Sequence, residues 1–288
     1  MLSPEEIQRI NLALANWRQG DVFLGKDLFF MHLADLAQPL TPAASKISQV
    51  RTSGSETLEI EGVSTTIPGI VVVSQTCDIV SSCEKRPYVE VSPLFSVEPN
   101  VLKEIQRLRR PAYAYIPALA DRNLVADLDR TMTVEEAILA AWEPIKGWKT
   151  DDEGRAFTEA LARKRARFAF PDDFVRACQK LQTRLKKEAE RDLPEGVHLR
   201  AVREIRVCAT PSWNSQKVHL LFWLVQDTEL EEENWHQITK TWIALFDQSG
   251  RFEVDGMQVS RLEDMTAKDY TESDRLDLDQ LSYNESGS

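Results

Sequence analysis

The stretch from Pro68 to Leu94, PGIVVVSQTCDIVSSCEKRPYVEVSPL, constrains the fold of this chain more than any other. Ile70, Val71, Val72 and Val73 follow one another with no polar residue between them. Such a run predicts a strand buried on both faces, in the interior of a sheet. It gives way abruptly to Ser74, Gln75, Thr76, Cys77 and Asp78, so a hydroxyl, an amide, a thiol and a carboxylate are delivered together at the strand end. That change predicts that Ser74, Cys77 and Asp78 line a pocket. Tyr88 to Val91 alternates Val89 and Val91 against Tyr88 and Glu90, which predicts a second strand after the polar link 81–87.

Around this centre the rest of the chain falls into three parts. Residues 1–97 begin with a helix whose start carries Ser3, Pro4 and Glu6 in capping-box positions, and continue as β structure. Residues 98–196 are charged and helix-rich, with helices expected over 153–170 and 172–193. Residues 197–288 read as β again, from His198 to Ala209, Lys217 to Gln226, Ile238 to Phe246, Arg251 to Val254 and Met257 to Leu262, followed by an acidic tail. The predicted fold is α+β. The two β segments are expected to join into one mostly antiparallel, barrel-like core, with the helical part as a large insert.

With 42% hydrophobic residues in 288, the chain has enough apolar material for a substantial core. No apolar run approaches the roughly 20 residues of a membrane span, and the N-terminus lacks a basic region leading into an apolar one, so a cytoplasmic protein without membrane contact is expected. Cys77, Cys83, Cys178 and Cys208 show no C-x-x-C spacing and are expected as free thiols. No spacing predicts a cofactor or a metal site. Asp274, Asp277 and Asp279 lack the glycine and the ligand spacing of a calcium loop.

Residues 19–95 resemble the small barrel of the MazF/PemK-type endoribonuclease toxins. The matching pieces are Gln19-Gly20-Asp21-Val22, Gly54-Ser55-Glu56, Pro68 with Val71-Val72-Val73-Ser74, and Tyr88-Val89-Glu90-Val91-Ser92-Pro93. The resemblance implies an RNA-facing barrel and a toxin-like, toxin–antitoxin or phage-defence role. Those toxins carry an arginine just before the proline of the central strand, where this chain has Ile67.

Two constellations carry the chemistry, each with a plainer alternative. Cys77 acts as a nucleophile if a base activates it, with Ser74 and Asp78 beside it and His219, inside the strongest late strand, as the candidate base. The alternative is a small buried cysteine, a turn-capping aspartate and a core histidine. Residues 155–187 hold a net charge of +7 against −18 for the rest of the chain, within a total of −11. Arg163, Lys164, Arg165, Arg167, Arg176, Lys180 and Arg184 are the candidates for phosphate contacts with RNA or DNA. A solvated helix surface is the alternative. Residues 227–288 carry a net −11, which suits a partner protein. Nucleic-acid binding, a Cys77-dependent hydrolase and a non-enzymatic interaction module are therefore the three functions the residues allow.

Overall fold

The computed structural model of the protein describes residues 2–50, 58–106, 108, 110–166, 168–188, 191–226 and 232–276. The chain divides into two compact units, Met1–Ala166 and Arg167–Ser288.

In the first unit, α1 (Pro4–Leu14) starts with the expected capping box between Ser3 and Glu6. The long strand β1 (Val22–Asp35) pairs antiparallel with β2 (Ile60–Val72), and α2 (Pro42–Val50) lies between them in sequence. A four-residue helix, α3 (Thr76–Ile79), follows, and then β3 (Tyr88–Ser96). Ile70, Val71 and Val72 are almost completely buried, because β1 pairs on one side of β2 and β3 on the other. The apolar run has the central position that its composition predicts. After α4 (Pro99–Gln106) come the short strands β4 (Tyr113–Tyr115), β5 (Leu124–Asp127) and β6 (Met132–Glu135). The sheet runs β1-β2-β3-β5-β4, with β6 also paired to β3. Then α5 (Glu136–Ala140) and α6 (Asp151–Arg165) complete the unit.

In the second unit, α7 (Asp172–Glu188) and α8 (Pro194–Ala201) precede β7 (Val202–Thr210) and β8 (Val218–Gln226), which pair antiparallel. Next come α9 (Glu232–Leu245), β9 (Phe252–Arg261), α10 (Ala267–Thr271) and β10 (Asp274–Arg275). The sheet order is β10-β7-β8-β9, and β9 runs parallel to β8. Phe174, Cys178, Leu181 and Leu185 of α7, and Trp242 of α9, bury one face of this sheet through Val207, Phe222 and Leu224.

The α+β class is as expected, but the single barrel-like core is not formed. Among the described residues the strands make two separate sheets, and neither closes. The first segment finds its missing partners within 98–196, from β4, β5 and β6, and so needs none from the C-terminal strands. The segment 238–246, expected as a strand, lies in α9. Trp235, Ile238 and Trp242 recur at helical spacing, and all three are buried on one face. That helix is the crossover that lets β9 return parallel to β8. Residues 198–201 likewise end α8 rather than opening β7.

Candidate functional site

The end of β2 is held by a knot of hydrogen bonds that spans the first unit. Gly20 N donates to Val72 O at 2.8 Å and Val72 N donates to Asp21 O at 2.9 Å, extending the β1–β2 ladder. The Gln19 side chain donates from Nε2 to Val73 O at 2.8 Å and accepts at Oε1 from Thr158 of α6 at 3.2 Å. Trp148 Nε1 donates to Gln19 O at 3.0 Å. The carboxylate of Asp21, 2% exposed, accepts from Arg18 N at 2.9 Å and Lys146 Nζ at 2.8 Å. Buried polar groups must be satisfied in this way, and here Lys146, Trp148 and Thr158 donate from more than a hundred positions away.

The polar residues at the strand end join the same framework. Ser74 Oγ accepts from Glu90 N at 2.8 Å, tying the strand end to β3, and Thr76 Oγ1 accepts from Gln19 N at 3.1 Å. Cys77 is exposed on α3. Its thiol donates to Gln75 Oε1 at 3.6 Å and to Asp78 Oδ1 at 4.0 Å. Asp78 is ion-paired with Arg86. Thus Ser74 acts as a clamp, Asp78 is engaged by a cation, and the contacts of Cys77 are both to acceptors. An open depression of about 510 Å³ lies along α1, lined by Pro4, Ile7, Gln8, Asn11, Leu12 and Glu84, and none of the sequence-predicted residues lines it.

His219 belongs to the second unit, with its own partners. The β7–β8 register sets it across from Thr210, and Cys208 across from Leu221. Its Nδ1 lies 3.0 Å from Asp255 Oδ1. Glu253, its register partner on β9, completes a group whose ligand atoms all lie within 4.8 Å of one another. With strands read as Arg251 to Val254 and Met257 to Leu262, residue 255 falls between them, and the sequence alone misses this grouping.

The basic run is divided between the units. Lys164 is ion-paired with Asp129, and Arg165 Nη2 lies 2.9 Å from Glu90 Oε2, while Arg163 is half-buried on the same helix end. Arg167 lies outside the described residues. On α7, Arg184 makes a bidentate pair with Glu195 at 2.6 and 3.1 Å, which holds the Glu195 carboxyl below its ordinary range. Arg176 and Lys180 are exposed, as are Lys186 and Lys187, and none of these four closes an ion pair among the described residues, although Lys180 is near enough to Asp247 to help hold its carboxyl below the ordinary range, behind the hydrogen bonds from Ser249. Phe168 and Phe170 pack on Trp213, at 5.6 and 5.3 Å between ring centroids, and are anchors within the second unit. Of the acidic C-terminal region, 227–231 and 277–288 lie outside the described residues. Among those described, no helix is long and apolar enough to cross a membrane.

No protein-family model matches this chain, and no curated protein matches it.

Proposed function

We propose that this protein binds nucleic acid through phosphate contacts made by the exposed face of α7. The observation that carries this reading is a stripe of exposed cations that close no ion pair among the described residues, on a chain whose net charge is −11. Arg176, Lys180 and Lys187 fall at helical spacing, with Lys186 beside them, along about 16 Å of helix. The opposite face, Phe174, Cys178, Leu181 and Leu185, is buried, which fixes the stripe toward solvent. Exposed cations that close no internal ion pair are what a polyphosphate backbone neutralises, with release of its counterions. With Phe168 and Phe170 engaged by Trp213, backbone contact rather than base stacking is the mode this surface supports. The MazF/PemK-type resemblance favours RNA, and Ile67 in place of the arginine favours binding over cleavage.

The test is affinity for single-stranded RNA and for duplex DNA as a function of salt. For three to four phosphate contacts, log K against log salt should fall with a slope of about −3 on a duplex. Arg176→Glu, Lys180→Glu and Lys187→Glu together should abolish binding, whereas Lys103→Glu on α4 should leave it close to wild type. Absence of binding at low salt, or a triple variant that binds normally, overturns the reading.

A second reading, a protein-interaction module, has its own support. Phe29, Met31 and Leu33 occupy alternate positions on β1, an edge strand, and are 53%, 50% and 76% exposed. An apolar stripe of this kind on an edge strand favours a protein partner, whose binding would survive high salt.

A further inference from the structure

We propose that His219, Glu253 and Asp255 form a binding site for a divalent transition-metal ion of the zinc class. Val218 and Leu220, on either side of His219 in β8, point into the core, so the imidazole is turned to the opposite, solvent-facing side of the sheet. Glu253 stands beside it on the same side, as its partner in the parallel ladder. Asp255 joins them through a β-bulge. Leu220 is level with Val254 but Leu221 with Gly256, so Asp255 is the extra residue. A bulge re-aims one side chain without disturbing the strand beyond it, and here the carboxylate reaches to 3.0 Å from His219 Nδ1.

The donor set selects the ion. One imidazole nitrogen and two carboxylates suit zinc, cobalt or manganese, whereas calcium needs six or more oxygens and magnesium retains mostly water. Three protein ligands also leave one position of a tetrahedral ion open. Bonds of about 2.0–2.2 Å put neighbouring ligands of a tetrahedral zinc about 3.3–3.6 Å apart. The three ligand atoms lie within 4.8 Å of one another, so modest side-chain rotation closes the set. All three side chains are partly or largely exposed and free to make that adjustment. The cluster already attracts a cation: Lys217 Nζ lies 2.7 Å from Glu253 Oε2, and at 68% exposure it is readily displaced.

The full chain, stripped with chelator, is titrated with Co²⁺ while its visible absorption is followed, and then with Zn²⁺. One equivalent of Co²⁺ should give a saturable d–d band that Zn²⁺ removes. His219→Ala and the near-isosteric Asp255→Asn should each weaken binding by more than the roughly 10- to 100-fold that loss of an outer-shell partner costs. Lys217→Ala should tighten it, and His236→Ala and Cys77→Ala should leave it unchanged. Should His219→Ala not fold, Asp255→Asn decides alone. Absence of a saturable single equivalent, or binding that neither ligand variant weakens, overturns the proposal.

Discussion

A Cβ on Gly147 would lie 1.9 Å from the carbonyl oxygen of Gly20. The two glycines let the loop before α6 close onto the start of β1, where Gly20 itself has φ +89° and room for nothing larger beneath Trp148. Gly147→Ala must push this loop away and break the contacts of Lys146 and Trp148 with it. We expect a loss of about 2–4 kcal/mol, read by urea denaturation, as for other overpacked or strained sites. A smaller loss than that of an exposed Gly250→Ala control would contradict the packing seen here.

Glu136 gives the first unit a pH dependence. It is 1% exposed, neither carboxylate oxygen has a hydrogen-bond partner, and burial raises its pKa to about 7 from an ordinary 4.5. The unfolded chain therefore releases this proton at lower pH than the folded one. The contribution of the neutral form is complete below about pH 4.5 and is lost as pH rises through about 7, a change of about 3 kcal/mol. Glu136→Gln should flatten this part of the stability profile and stabilise the protein at pH 8. Parallel profiles for the two proteins would show that Glu136 does not titrate in this range.

Arg206 ties the C-terminal segment to the second sheet. It is 9% exposed, donates to Ser273 Oγ at 2.9 Å and to Tyr270 O at 2.8 Å, pairs with Glu204 at 3.2 Å and lies over the Tyr270 ring at 3.9 Å. Arg206→Met removes these contacts and leaves Glu204 buried without its nearer ion-pair partner, Arg275 lying at 3.7 Å. The expected loss is about 3 kcal/mol, with residues 262–276 becoming cleavable by protease under native conditions. Unchanged protection of that segment would remove Arg206 from this role.

The cysteines should separate cleanly by reactivity. Cys77 is exposed, whereas burial pushes the Cys178 thiol far above its ordinary range and also raises Cys83, with Glu136 contributing. Iodoacetamide should label Cys77 first in the native protein and leave Cys178 untouched until unfolding. Cys77→Ala should leave nucleic-acid affinity unchanged. Loss of affinity in that variant would bring the strand end back as a binding site.

Much of the fold was legible wherever the signal is local. The Ser3–Glu6 capping box, the apolar run Ile70–Val73 and the alternation from Tyr88 to Val91 each announce their element within a few residues. The failures are long-range or ambiguous. Ile238, Thr241, Trp242 and Ile243 have strand-like composition, and only the spacing from Trp235 gives away the helix. Nothing near Gln19 signals Trp148 or Thr158. Charge counting found the basic run but not its partners, because Glu90 and Asp129 are distant in sequence and Glu195 lies just past the end of the run. The same blindness applied to Asp255, whose bulge is set by the pairing of β9 with β8.

That bulge works as a frame-shift in the sheet. Before it, Val254 points inward from an even-numbered position. After it, Met257 and Val259 do so from odd ones. Deleting Asp255 would remove the extra residue and leave Val254, Met257 and Val259 facing inward in a regular ladder, at the cost of the carboxylate beside His219. The packing of β9 could thus be built without position 255, and what the extra residue adds to the strand is the carboxylate that reaches His219.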